Sequence, residues 1–170
     1  MDKAITTAFM IIVSVIVSVM VFNAVYPGVV QGADTLAIMQ ARMEERMKSQ
    51  IAIIHTTGEM DSTGTWQDTN GDGHFNTFIW VKNIGVTRIT AIADMDLFLG
   101  PEGNFTRIPY KDDAGGSYPY WDLAIENDSQ WNPTATARIT VYYSGTPPRG
   151  RYFVKVVVPN GPNAATFFSL

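Results

Sequence analysis

From Ala4 to Tyr26 the chain reads AITTAFMIIVSVIVSVMVFNAVY, without charge and without regular alternation of polar and apolar positions. At a rise of ~1.5 Å per residue, a helix of this length covers roughly 35 Å, enough to cross a bilayer. Pro27-Gly28 follows. Proline removes one backbone donor and crowds the preceding turn, so a kink is expected there. A helical period then resumes. Leu36, Met39, Met43, Met47, Ile51 and Ile54 fall three or four residues apart, while Arg42, Glu45, Arg46, Lys48 and Ser49 take the other face. Asp34 or Thr35 can cap a turn, and Glu44 can pair with Lys48. The pattern predicts a kinked helix from Asp2 to Ile54, ~80 Å long. Its first half is apolar all round and its second half amphipathic, with a methionine stripe expected to pack on the protein's own following domain or, in addition, on neighbouring copies.

Past Ile54 the helical period stops at His55-Thr56-Thr57-Gly58 and a polar stretch to Gly64. Short runs between turn clusters then predict seven strands: Phe75–Asn83, Arg88–Leu99, Phe105–Ile108, Trp121–Ile125, Ala135–Tyr143, Tyr152–Val158 and Ala164–Phe168. Asn83-Ile84-Gly85 and Thr146-Pro147-Pro148-Arg149-Gly150 read as turns. The fold class is α+β: a long N-terminal helix over residues 1–55, then an antiparallel immunoglobulin-like β-sandwich over 56–170. The apolar tail Ala164–Leu170 is expected to be the last strand, since left uncovered it would aggregate.

Composition sharpens this division. The 170 residues hold 12 basic and 16 acidic side chains, yet before Asp34 only Asp2 and Lys3 are charged. So long a neutral run excludes a plain soluble domain. A secretory signal has a basic start and a shorter apolar core, which this segment lacks. A permanent anchor, or a helix that rests in the membrane before packing into an assembly, fits its length. The acidic balance and the lack of a basic stripe argue against nucleic acid as a partner. With no cysteine, disulfides, thiolate metal sites and thiol chemistry are excluded.

Asp68-Thr69-Asn70-Gly71-Asp72-Gly73-His74 places oxygens at Asp68, Asn70 and Asp72 in the spacing of calcium loops, with the His74 carbonyl as a further ligand. The twelfth position of that spacing is Ile79 rather than a bidentate Glu, and a strand follows, so it is not an EF-hand. A polar hairpin tip, with its glycines supplying positive φ, accounts for the same residues. Asn104-Phe105-Thr106 and Asn127-Asp128-Ser129 match the N-glycosylation pattern, making Asn104 and Asn127 candidate sites on an exported chain. His55 and His74 lie in different segments without a triad or zinc constellation around them. Asp94 and Asp96 alternate along a predicted strand, on one exposed face. Trp66, Trp80, Trp121, Trp131 and Tyr118-Pro119-Tyr120 read as core or interface packing. No P-loop or dinucleotide fingerprint is present, and no catalytic group is expected.

A charge-free N-terminal helix continuing amphipathically into a β-sandwich resembles the archaellin and type IV pilin superfamily. Phe78-Ile79-Trp80-Val81-Lys82-Asn83-Ile84-Gly85 is similar to a strand-to-turn "V-K-N-x-G" segment of archaellum subunits. Asp94-Met95-Asp96-Leu97-Phe98-Leu99-Gly100 with Phe105-Thr106-Arg107-Ile108-Pro109 resembles their pilin-like accessory proteins. The resemblance implies a helical surface filament for swimming, made of many copies of the chain. Helices form its core and sandwiches its exterior. The core residues are then expected to include Ile5, Phe9, Ile12, Val13, Ile16, Val19 and Met20, followed by Met39, Met43 and Met47. It also implies insertion in the membrane before assembly, a prepilin-type peptidase and an ATP-driven motor. A Lys/Arg-Gly leader is not visible before the apolar stretch, as in a mature form or a departure from the pattern. Ile5 stands where bacterial type IV pilins carry glutamate, which favours the archaellin side. A basal or stator-type accessory protein and an adhesive pilin share the same plan.

Overall fold

The computed structural model describes residues 2–159 and 161–170, positions 45–47 for their backbone alone. Met47 therefore lies outside the described side chains. The neutral run forms α1 (Asp2–Lys48), one helix of 47 residues that continues through Pro27. The expected continuation to Ile54 is corrected. Ile51–Gly58 is instead strand β1, paired antiparallel with β2 (Phe75–Asn83) from Ile51↔Asn83 to Gly58↔Thr77. Ile51, Ile53 and Ile54 are β-branched and favour an extended backbone, which the β2 ladder pairs. Tertiary pairing wins over a periodicity that both elements could meet.

Six further strands follow: β3 (Asp96–Pro101), β4 (Thr106–Ile108), β5 (Tyr120–Ile125), β6 (Thr136–Tyr143), β7 (Arg151–Val157) and β8 (Asn163–Ser169). They complete two four-stranded antiparallel sheets, ordered β1-β2-β6-β5 and β4-β3-β7-β8. The predicted Arg88–Leu99 strand is shorter. Ala91 takes φ 55, Ile92–Asp94 forms a 3₁₀ turn, and extended pairing begins only at Asp96. Asp94 and Asp96 are consequently not neighbours on one strand face.

Inward positions alternate along both sheets, as a sandwich requires. Ile79, Val81, Trp121, Ile139 and Val141 from the first sheet share one buried core with Leu97, Leu99, Val154 and Val156 from the second. Trp121 donates its indole N–H to the Ile108 carbonyl at 3.1 Å. Tyr152, buried at the start of β7, donates its hydroxyl to the Pro148 carbonyl at 2.8 Å. Such a tyrosine corner is a hallmark of immunoglobulin-like sandwiches. By their contacts, residues 1–44 and 45–170 form two compact units.

Candidate functional site

Every described side chain on the first 44 residues is exposed. Ile5 and Phe9 are each 67% exposed, and Ile12, Val13, Ile16, Val19 and Met20 are exposed around the same stretch. Leu36, Met39 and Met43 continue the exposed apolar surface. This helix is long and apolar enough to cross a membrane. Its hydroxyls fit such surroundings. Thr6 and Thr7 donate to the carbonyls of Asp2 and Lys3, and Ser14 and Ser18 donate to those of Ile11 and Ser14. Thr35 does the same to Gln31. Each of these hydroxyls is thus satisfied inside its own helix.

Where the chain leaves α1, the turn after β2 receives it. Val86 and Thr87 donate their backbone N–H groups to the Lys48 carbonyl at 2.7 and 3.2 Å. Ile84 and Gly85 donate theirs to the Gln50 carbonyl at 2.9 and 3.0 Å. The Lys48 carbonyl is one that a helix end otherwise leaves open. Buried Ser49 meets the Thr87 hydroxyl at 2.9 Å. Asn83 braces the turn from beneath: its side-chain N–H group donates to the carbonyls of Thr87 and Trp131, and its side-chain oxygen accepts the Gly85 N–H. A Cβ at Gly85 would collide with the Lys48 carbonyl and the Gln50 nitrogen. The Asn83-Ile84-Gly85 segment therefore holds the start of β1.

The Asp68–His74 loop is knitted by hydrogen bonds. Asp68 accepts the N–H groups of Gly71 at 2.6 Å and Gly73 at 2.9 Å. Asn70 accepts from Asp72 N–H and donates to the Asp72 carboxylate, which also accepts from His74 N–H and from Asn76. Burial pushes Asp72 up, but donation by Asn76, His74 and Asn70 outweighs it and holds its carboxyl below the usual range. Among the described residues, no three His, Cys, Asp or Glu side chains are grouped to hold a metal ion. Asn104 and Asn127 are exposed, the latter accepting the Thr136 N–H at 2.9 Å. His74 meets the Tyr118 hydroxyl at 3.1 Å, whereas His55 packs by Trp80 with ring centroids 5.3 Å apart. The two histidines belong to separate places. Trp121 and Trp131 are core, Trp80 is half-buried and Trp66 is exposed.

Several solved structures share this architecture. The archaellum periplasmic stator protein FlaG from Sulfolobus acidocaldarius matches 71% of the chain and 99% of its own length, with 22% identity and a TM-score of 0.54. The FlaF and FlaG stator complex of the same organism matches 72% of the chain and 90% of its own, also at 22% identity, with a TM-score of 0.53. Archaeal flagellin FlaB1 from Methanocaldococcus jannaschii matches 71% of the chain and 89% of its own, at 18% identity and a TM-score of 0.50. The fold is archaellin-like. No family model and no curated protein matches the sequence.

Three features of the chain escape a motif-led reading. Buried Glu59 accepts the N–H of Asn76 at 3.0 Å and both the N–H and hydroxyl of Thr69, tying the polar loop to β2. Nothing in its local sequence separates it from a surface acid. Gly28 and Gly32 stand one helical turn apart with open space beside each, the small-x-x-x-small spacing that lets helices approach closely. That spacing is visible in Gly28-Val29-Val30-Gln31-Gly32 and extends the small residues Ser14, Ser18 and Ala24. The third is Gly85, whose role comes from a carbonyl 37 positions earlier in the chain.

Proposed function

We propose that the chain is a non-enzymatic structural subunit of an archaellum-like helical surface filament used for swimming. The observation that carries this reading is the apolar surface of α1, exposed around its whole circumference through a neutral run of thirty residues. Such a surface needs lipid or protein around it. Before assembly α1 lies in the cytoplasmic membrane. In the filament the α1 helices of many copies surround one another and the sandwich coats the outside. Close packing through Ser14, Ser18, Gly28 and Gly32 drives that exchange, since lipid and protein are equally apolar. Flagellin FlaB1 shares the sandwich fold, which supports the subunit role. A prepilin-type peptidase and an ATP-driven motor follow from the same reading.

A basal, stator-type role is the second reading, favoured by the match spanning 99% of FlaG. There α1 stays in the membrane and the sandwich meets a FlaF-like partner. Electron microscopy of sheared filaments, with mass spectrometry of their main band, separates the two. The filament reading expects this chain as the dominant species, and its presence only in the membrane fraction overturns that reading.

A calcium ion on the Asp68–His74 loop and glycans on Asn104 and Asn127 are proposals carried by sequence spacing. Calcium would have to replace the N–H groups of Gly71 and Gly73 on Asp68. Binding heat and a raised melting temperature at millimolar calcium support the site, and their absence removes it. Intact mass above that of the bare polypeptide supports the glycans.

A further inference from the structure

The sandwich shows aromatic strips on both outer faces. In β5 and β6, Trp121 and Val141 point inward, so Tyr120 and its cross-strand partner Tyr142 point outward, stacked with centroids 4.9 Å apart. Tyr118 extends the row at 5.2 Å from Tyr120, and His74 stands 5.0 Å beyond it. A cleft of about 450 Å³ lies beside these rings, lined also by Lys111, Asp112 and Asp122. Lys111 is engaged by Asp122 at 3.0 Å. Burial first, and then the charges of Asp122 and Asp72, raise the Tyr142 phenol, so Asp72 also contributes to this face. Arg138, outward on β6 and paired with Glu126, acts on Tyr142 in the opposite sense, so Asp72, Asp112, Asp122 and Glu126 stand against the two cations Lys111 and Arg138.

The other sheet is built with the opposite sign. Val154 and Val156 point inward, leaving Phe153 and Lys155 outward. Phe153 lies opposite Phe167 at 5.1 Å and meets Phe105 at 4.8 Å, making a continuous row of rings across β7 and β8. Phe105 and Phe167 remain 47% and 45% exposed. Gly100 makes the row possible, because a Cβ there would strike the backbone of Asn104 and Phe105. Arg151 sits 4.3 Å from the Phe167 ring centre, and Lys155 and Arg107 flank Phe98 on either side. Against these three cations stand Asp96 and Glu102, paired with Arg107 and Arg151.

We propose that the Phe105–Phe153–Phe167 strip of one copy docks on the Tyr118–Tyr120–Tyr142 face of a second copy of this chain. The inference rests on the filament reading and names the outer contact within it. Charge complementarity selects the partner: a cation-rimmed phenylalanine strip finds phenol rings and carboxylates on the same molecule's other face. Like faces would set cations against cations or carboxylates against carboxylates. Because the faces lie on opposite sides of one sandwich, the contact is head-to-tail. It extends into an open array instead of closing as a symmetric pair.

The chain contains no cysteine, so paired substitutions report the contact without background. Ser117→Cys beside Tyr118 and Ala165→Cys beside Phe167 change little bulk, and both positions are exposed. Full-length chains carrying both, assembled in cells and treated with a bismaleimide, should give a ladder of covalent multimers. Either substitution alone should leave monomers. Lys155→Glu or Asp112→Lys alone should diminish the ladder at least several-fold, and the two together in one chain should restore it. Dimers from a single-cysteine variant indicate a symmetric contact and overturn the inference. No ladder, in filaments shown by mass spectrometry to contain the chain, overturns the inference and leaves the filament reading standing. Absence of the chain from filaments overturns both.

Discussion

Gly85 has no room for a side chain, because backbone atoms of Lys48 and Gln50 approach where its Cβ would lie. Backbone cannot step aside as a flexible side chain can. Gly85→Ala should therefore cost about 1–3 kcal/mol, the range of an overpacked site. Thermal denaturation of the full chain in detergent, followed by tryptophan fluorescence, should show a lower melting temperature. Acid should act at other residues. Asp61 is held below the usual carboxylate range first by the Thr63 hydroxyl and then by the Thr65 N–H, and Asp72 is also lowered. A carboxyl lowered on folding adds stability that is present above its unfolded pKa. That stability is lost as pH falls through the folded value. Melting temperature should stay level near neutrality and decline once pH drops below about 4. Asp61→Asn with Asp72→Asn should flatten that decline.

Among the elements, the Asp68–His74 loop depends on a residue outside itself. Glu59 is buried and meets three donors, so Glu59→Ala leaves them without a partner and should cost ~1–3 kcal/mol. Limited proteolysis should then cut within 68–74 before the strands open. Much of the element plan was legible in the sequence. Phe75–Asn83 was predicted to the residue, and β5 to β8 within one residue at each end, because their alternation and turn residues are local signals. β1 was missed since Ile51 and Ile54 satisfy a helical period as readily as a strand, and only pairing with a distant segment decides. Arg88–Leu99 was overextended because no residue there announces the positive φ of Ala91. That the N-terminal apolar run forms one exposed helix was legible from its composition. The bracing by Asn83, Gly85 and Glu59 was not, since it exists only between segments far apart in sequence.

At the scale of the whole molecule, the chain joins a helix that cannot remain bare in water to a sandwich with a complete core of its own. Deleting Ala4–Tyr26 should abolish membrane retention and filament formation while leaving a soluble β domain. Fractionation and negative-stain microscopy measure both, and filaments from the truncated chain would contradict a helical core. Widening the helix surface should act in the same direction. Gly28→Leu with Gly32→Leu keeps α1 apolar but fills the open space beside both glycines. Membrane insertion should persist while filament yield falls.

The serine and threonine hydroxyls of α1 all bond back to their own helix. Backbone donors and acceptors within the helix are likewise closed on themselves. On the filament reading proposed above, passage from lipid to protein would leave these hydroxyl bonds and the helix itself intact. The segment would then act as a finished part moved between two dry surroundings. On that reading its internal bonding would be the same at either end, the balance of the transfer would rest on surface fit, and a disassembled copy would re-enter the bilayer in the form in which it left.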